Sequence, residues 1–199
     1  MIIVGLTGGI ASGKTTIINF LKKKKFATHD SDAIVKRVYS QPTKKFINFL
    51  ININLADSIS GKSIDKKKIR KEIFNTQKKK KSLEKYIHGV VKKSRDQFLK
   101  KHKEKKTKIV FLDIPLLFEA KLEKICDYII LVYAPIRIRK KRAIRRKGMK
   151  KEILIKIIKH QINDNFKKKK ADFVIDTSIS NKAKSFKKTL KIINHIFNL

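Results

Sequence analysis

Ile2-Ile3-Val4-Gly5-Leu6-Thr7-Gly8-Gly9-Ile10-Ala11-Ser12-Gly13-Lys14-Thr15-Thr16 decides the reading of this chain. Residues 2–7 are a short apolar run that ends in glycines, as a buried strand does. From Lys14 to about Lys24 the apolar residues Ile17, Ile18 and Leu21 recur on one helical face. The lysines at the end of that helix suit the negative pole of its dipole. Between strand and helix stand Gly8, four residues, then Gly13, Lys14 and Thr15, the spacing of a phosphate-binding loop. Each part has a physical task. Glycines let the backbone turn so that successive N–H groups face phosphate oxygens, and the helix that follows adds its positive pole. Lys14 supplies a point charge for the outer phosphates, and the Thr15 hydroxyl is a ligand for Mg²⁺. Gly8, Gly9, Ala11, Ser12, Gly13, Lys14, Thr15 and Thr16 are therefore the candidate ATP contacts. A chance match is expected on the order of once per hundred chains of this length. Here four of the chain's seven glycines fall within its first 13 residues, in the strand–loop–helix setting that the chemistry requires.

Outward from the loop, Phe26 to His29 reads as a weak second strand and Ser31 to Tyr39 as a helix. From Pro42 to about Lys106 no strand pattern appears. Phe46, Phe49, Leu50 and Ile53 have helical spacing, as do Ile69 with Ile73, and Leu83, Ile87, Val90 and Val91; Gly61 marks a turn. Continuous apolar runs return at Lys108 to Asp113 and Tyr128 to Tyr133, the pattern of parallel strands covered on both faces. Pro135 opens a basic helix that Gly148 would close. A further helix is expected from about Lys150 to Phe166, a short strand at Phe173 to Ile175, and a last helix over 181–197. Strands alternating with helices predict a doubly wound α/β sheet.

Composition narrows the class. The 199 residues carry 52 basic and 16 acidic side chains, a net charge of +36, with 41% hydrophobic residues. The apolar runs are short and broken by lysine, so no membrane span is expected. The start of the chain has no basic region of the kind that precedes a secretory leader's apolar run. Cys126 has no partner cysteine, and a reducing cytoplasm is the natural reading. The charge itself has two readings: a nucleic-acid binder, or compositional drift toward lysine, isoleucine and asparagine. The lysines come in scattered runs (22–25, 78–81, 167–170) without an RNA-binding signature, which favours drift and predicts no specific nucleic-acid partner.

Other residues add chemistry to the loop. Asp30-Ser31-Asp32 falls at the carboxyl end of the second strand, where open α/β sheets bind ligands. A carboxylate there can take or orient the proton of an acceptor hydroxyl. Asp30 or Ser31 can cap the following helix, and Asp32 is the candidate base. Asp113 ends the third apolar run and can hold Mg²⁺ through water; as a plain alternative it is a turn residue before Pro115. Arg142 and Arg146, four apart in the basic helix, can serve a phosphoryl transition state as lid arginines. His29 and His88 read as packed or solvated. A GTPase would carry Asn-Lys-x-Asp late in the chain, but Asn181-Lys182-Ala183-Lys184 has lysine where the carboxylate is needed. The residues alone thus reach an ATP-dependent kinase of a small hydroxyl acceptor.

The chain also resembles the dephospho-coenzyme A kinases. The likeness lies in Thr7 to Thr15, Asp30-Ser31-Asp32, the Gly61 to Phe74 segment, His88-Gly89, Asp113-Ile114-Pro115-Leu116-Leu117-Phe118-Glu119, Arg142 with Arg146, Gln161, and Ala171 to Asp176. It departs from the family pattern at Lys66, Gly89, Arg139 and Thr177. The resemblance implies a P-loop kinase-type parallel sheet flanked by helices. Residues 1–199 would form one such domain, with a core at 1–41 and 107–199, a helical acceptor-binding insertion at about 42–106, and a lid at about 136–165. It implies transfer of the ATP γ-phosphoryl group to the ribose 3′-hydroxyl of dephospho-coenzyme A, with Mg²⁺, by Lys14, Asp32, Arg142 and Arg146. It implies no membrane and no obligate protein partner. Another nucleoside or nucleotide kinase, or a basic ATP-dependent nucleic-acid-binding protein, is the alternative reading.

Overall fold

The structure, a computed structural model, describes residues 1–61, 63–179 and 181–198. Lys62, within the Gly61 to Phe74 segment, lies outside the described residues. The chain divides into two compact units, residues 1–29 with 102–199, and residues 30–101.

The first unit is built on a five-stranded sheet. Its strands are β1 (Ile2–Thr7), β2 (Ala27–Asp30, whose last residue begins the second unit), β5 (Ile109–Asp113), β6 (Tyr128–Tyr133) and β7 (Phe173–Asp176). They lie in the order β2-β5-β1-β6-β7. The pairs β1–β5, β1–β6 and β6–β7 are parallel, with Val4 opposite Phe111 and Tyr128. Every residue of β5 is buried, as the continuous apolar run requires. One face packs on α1 (Lys14–Lys23) and α9 (Lys182–Phe197). Ile17, Ile18 and Leu21 of α1 and Ile192, Ile193 and Ile196 of α9 meet Val4, Leu6, Phe111, Ile130, Val132 and Ile175 there. Each such aliphatic chain contributes roughly 1.5–3 kcal/mol on leaving water, so this layer holds the sheet to its helices.

The sheet places the phosphate loop. β1 is central, with β5 and then β2 on one side and β6 and then β7 on the other. The loop after β1 therefore sits at the topological switch point, where strand connections diverge and leave a crevice.

The second unit is mostly helical: α2 (Ser31–Ser40), α3 (Lys44–Asn52), α4 (Lys66–Asn75) and α5 (Gln77–Glu104), the last running on into the first unit. Phe46, Leu50, Leu55, Ile69, Leu83 and Ile87 form its core. Phe49 stacks on Tyr86 with ring centroids 4.2 Å apart. The division falls earlier than the expected 42–106, because Val35, Val38 and Tyr39 of α2 pack on this core. The expectation of no strand in this stretch is corrected as well. Residues Ile59–Ser60 (β3) and Ser63–Ile64 (β4) pair antiparallel across the Gly61 turn. Strands of two residues are too short to show alternation; Ile59 and Ile64 reveal themselves only by packing on the helices.

Two further corrections concern the carboxyl-terminal half. The basic helix α6 covers Ile136–Ile144 and ends before Gly148, so Arg146 lies in the turn beyond it and shares no helix face with Arg142. The single helix expected over 150–166 is two, α7 (Lys151–Lys159) and α8 (Asp164–Lys170). The break has local causes. The Asn163 side chain caps α8 by accepting from the Asn165 N–H at 2.7 Å. The Ile162 N–H is drawn off to the Glu119 carboxylate at 2.9 Å.

Candidate active site

The site starts from the loop's backbone. Ala11 and Gly13 have φ of +57° and +96°. That left-handed turn curls the chain before α1, and glycine takes it without strain at Gly13. The loop closes on itself through the Ser12 N–H to the Gly9 carbonyl at 3.1 Å, and the Thr16 N–H to the Gly13 carbonyl at 2.9 Å. Gly13 is the N-cap of α1 and offers no side-chain cap. The N–H groups of Lys14 and Thr15 are thus left for an anion, while those of Thr16 and Ile17 return to the Gly13 carbonyl. Gly8 is held by space: a Cβ there would stand 2.4 Å from the Val132 carbonyl oxygen and 2.6 Å from Ser12 Oγ.

Groups from the end of β5, from α6 beyond β6 and from the residue after β7 gather around this loop. Lys14 Nζ donates to the Asp113 carboxylate at the end of β5. Asp113 is 4% exposed, and in so dry a position a carboxylate needs a cation. The Thr7 hydroxyl donates to the Pro115 carbonyl at 3.1 Å, tying the end of β1 to the segment after Asp113. Gln161, between α7 and α8, accepts from the Ile10 N–H at 3.1 Å. Arg142, on α6, is half-buried and donates to Thr177 through both terminal nitrogens. Arg139 is 4% exposed. Its Nε donates to the Ala134 carbonyl at 3.0 Å, and Nη2 donates to the Asp164 carboxylate. Its Nη1 stands where a Cβ on Gly9 would lie 2.0 Å away. Beneath α8, the fully buried Lys167 ammonium pairs with Glu119 at 2.7 Å.

A loop before an uncapped helix start, a lysine, and an arginine on the adjoining helix are the chemical parts from which a polyphosphate site can be built. The comparisons with known proteins agree with that chemistry. A family model described as dephospho-CoA kinase matches residues 2–183. The chain belongs to the dephospho-CoA kinase family.

It is 38% identical over 191 residues to a dephospho-CoA kinase of Fusobacterium nucleatum, covering 94% of this chain and 95% of that relative. Among solved structures, a Thermus thermophilus protein matches with a TM-score of 0.79 at 26% identity. A dephospho-CoA kinase of Campylobacter jejuni matches with a TM-score of 0.70, also at 26% identity. Each comparison covers 98% of this chain and 96% of the other. As a member of that family the chain is a kinase, with ATP as its phosphoryl donor, built on the parallel sheet and helices that the alternating pattern predicts.

The residues singled out from the sequence are not all in one place. Lys14 and Asp113 meet directly, and Gly8, Gly9, Ala11, Ser12 and Gly13 form the turn above them. Thr15 and Thr16 open α1, Thr15 exposed and Thr16 half-buried. Arg142 reaches the loop's surroundings through Thr177, whereas Arg146 is exposed in the turn after α6. Asp30 is the cap of α2, accepting from the Ala33 N–H at 2.9 Å. Asp32 stands exposed in the first turn of that helix, in the second unit. His29 is buried at the end of β2 and His88 is exposed on α5.

Sequence reasoning named Gln161, Arg139 and Thr177 only as points of likeness or departure, and missed that Gln161 and Thr177 bond to the loop and that Arg139 stands against Gly9. Each lies more than 120 positions from its loop contact, and no local pattern marks such a partner. Lys167 was hidden as one lysine in a run of four, although α8 turns it inward. Asp176, at the end of β7, feels burial first, which pushes its carboxyl up. The hydroxyl and N–H of Ser178, with the charges of Lys168 and Lys188, outweigh that, and the carboxyl settles below its usual range.

Proposed function

We propose that this chain transfers the γ-phosphoryl group of ATP to the ribose 3′-hydroxyl of dephospho-coenzyme A, giving coenzyme A and ADP, the last step of coenzyme A synthesis. The observation that carries the reading is the uncapped amino terminus of α1 behind a left-handed glycine turn, in a chain that matches the family over residues 2–183.

The loop N–H groups and Lys14 bind the β- and γ-phosphates and keep the reacting phosphorus in line for attack. Thr15 and Asp113 would hold Mg²⁺, since their oxygen donors suit a hard cation. When bound, Mg²⁺ supplies charge neutralisation on the phosphates. Arg142 supplies a cation for charge that spreads over the transferred group. Asp32 accepts or orients the 3′-hydroxyl proton, and in phosphoryl transfer much of its contribution is positioning. The helical stretch at about 42–106 takes the acceptor, and its lysines suit the acceptor's phosphates. Among the described residues no helix is long and apolar enough to cross a membrane. The kinase works in the cytoplasm on small molecules, without an obligate protein partner.

The test is an ADP-release assay across a panel of acceptors: dephospho-coenzyme A, adenosine, deoxyadenosine and shikimate. Mass spectrometry identifies the product. Transfer to dephospho-coenzyme A is expected to exceed the others by orders of magnitude and to vanish in a folded Lys14→Ala variant. Equal rates on a plain nucleoside would overturn the acceptor assignment.

A further inference from the structure

Thr177 follows the last strand of the sheet and is 8% exposed. Its N–H donates to the Tyr133 carbonyl at 2.8 Å, which prolongs the β6–β7 ladder by one residue. Its hydroxyl lies 2.5 Å from the Ser12 carbonyl oxygen and 3.2 Å from the Tyr133 carbonyl oxygen. A threonine hydroxyl has a single proton, and the shorter contact takes it, so Thr177 donates to the phosphate loop. Arg142 closes on the same residue from α6. Its Nη1 donates to the Thr177 hydroxyl oxygen at 3.2 Å, and its Nη2 to the Thr177 carbonyl at 2.6 Å. One residue is therefore the meeting point of the loop, the sheet and the arginine.

We infer that Thr177 is a positioning residue of the transfer reaction, whose hydroxyl sets the Ser12–Gly13 peptide of the phosphate loop and seats Arg142 on the same anchor. The argument is geometric. The Ser12 carbonyl and the Gly13 N–H belong to one planar peptide unit, and no cis bond occurs among the described residues. Holding the carbonyl oxygen on one side therefore fixes the direction of the Gly13 N–H on the other. Gly13 is the residue at which the loop turns into α1, so its N–H is among those offered to phosphate. The bonds also run in one sense: guanidinium N–H to hydroxyl oxygen, hydroxyl proton to carbonyl oxygen, amide N–H onward. Each polarises the next toward a stronger donor at the phosphate end. Gly13 belongs to the same contact, since a Cβ there would lie 3.2 Å from the Thr177 hydroxyl oxygen.

The inference rests on the reading that this loop binds ATP. The test accordingly measures nucleotide binding directly, besides transfer. Thr177→Val keeps the shape and removes the hydroxyl; Thr177→Ser keeps the hydroxyl. Calorimetry with MgADP, and kcat and KM for transfer, are measured for the intact chain, both variants, Arg142→Ala and the double variant Thr177→Val/Arg142→Ala. Thr177→Val is expected to weaken MgADP binding about tenfold and lower kcat about tenfold or more; the partners it strands should also lower the thermal midpoint by several degrees, so both assays are run well below that midpoint, where the variant is folded. Thr177→Ser is expected to recover most of both. In the double variant the losses should fall short of the product of the single losses, because both changes break one contact chain. Unchanged MgADP affinity in Thr177→Val, no recovery in Thr177→Ser, or fully multiplicative losses would each overturn the inference. If Thr177→Val does not fold, Thr177→Ala carries the same comparison. A chain that binds MgADP but leaves dephospho-coenzyme A untouched would overturn the proposed acceptor alone, and the binding arm would still decide the role of Thr177.

Discussion

Asp30 and Asp32 stand two residues apart and differ in what holds them. Asp30 is spent on capping α2, and asparagine caps equally well; Asp30→Asn is expected to leave transfer within about threefold of normal. Asp32 is exposed in the first turn, so Asp32→Asn is expected to cost kcat on the order of a hundredfold, with ATP affinity little changed. The reverse pattern in steady-state kinetics would reassign the base. The two lid arginines separate in the same way. Arg142 holds Thr177 and Arg146 lies exposed in a turn, so Arg142→Ala should lower kcat on the order of a hundredfold and Arg146→Ala far less. Lys167 and Glu119 form a dry ion pair. Glu119→Leu leaves a buried cation alone and should destabilise the fold by about 3–5 kcal/mol in denaturant unfolding. Adding Lys167→Met should recover most of that loss; additive losses would argue against the pair. The cap at Asp30, the candidate base Asp32 and the phosphate loop were legible, because their chemistry needs fixed residue types at fixed spacing, whereas the Lys167–Glu119 pair and the anchoring of Arg142 on Thr177 are defined by what lies opposite them.

At the scale of elements, helix starts were easier to read than helix ends. Asp65 caps α4 by accepting from the N–H groups of Lys67 and Lys68 at 2.7 and 3.3 Å. Those two N–H groups, first Lys67, hold its carboxyl below the ordinary range, and the positive charges beside it add to the effect. A depressed carboxylate stabilises the fold above its unfolded pKa of about 3.9. That contribution is lost as pH falls from there through the lower folded value. The thermal midpoint of Asp65→Asn should therefore fall less than that of the unaltered chain between pH 5 and pH 3, both figures being approximate settings of the titration around that pKa. Parallel acid profiles would exclude the cap as a contributor. The ends of α6 and α7 followed no such local rule. The end of α7 is set where Gln161 and Ile162 leave the helical path for Ile10 and Glu119, partners that a sequence window cannot contain.

At the scale of the molecule, a net charge of +36 opposes compaction by self-repulsion. Raising ionic strength from about 0.01 M to about 0.15 M shortens the screening length from roughly 30 Å to roughly 8 Å. The thermal midpoint should rise over that interval. Any association with unspecific RNA should fall away over the same interval, as expected of a lysine surface that follows composition rather than a partner. A midpoint that drops with salt, or RNA binding that survives it, would give the charge a function. By itself the sequence determined the alternating strands and helices, the loop that takes phosphate, and thereby the kinase class. These are local: apolar period, glycine spacing and capping chemistry act within a dozen residues. Tertiary structure alone decided the rest. It paired Lys14 with Asp113 across 99 positions and Thr177 with Ser12 across 165. It turned Lys167 inward and left Arg146 outside. The five-stranded order brings the carboxyl ends of β1, β5, β6 and β7 together around one loop, and contacts made by that convergence leave no period or spacing in the chain to read.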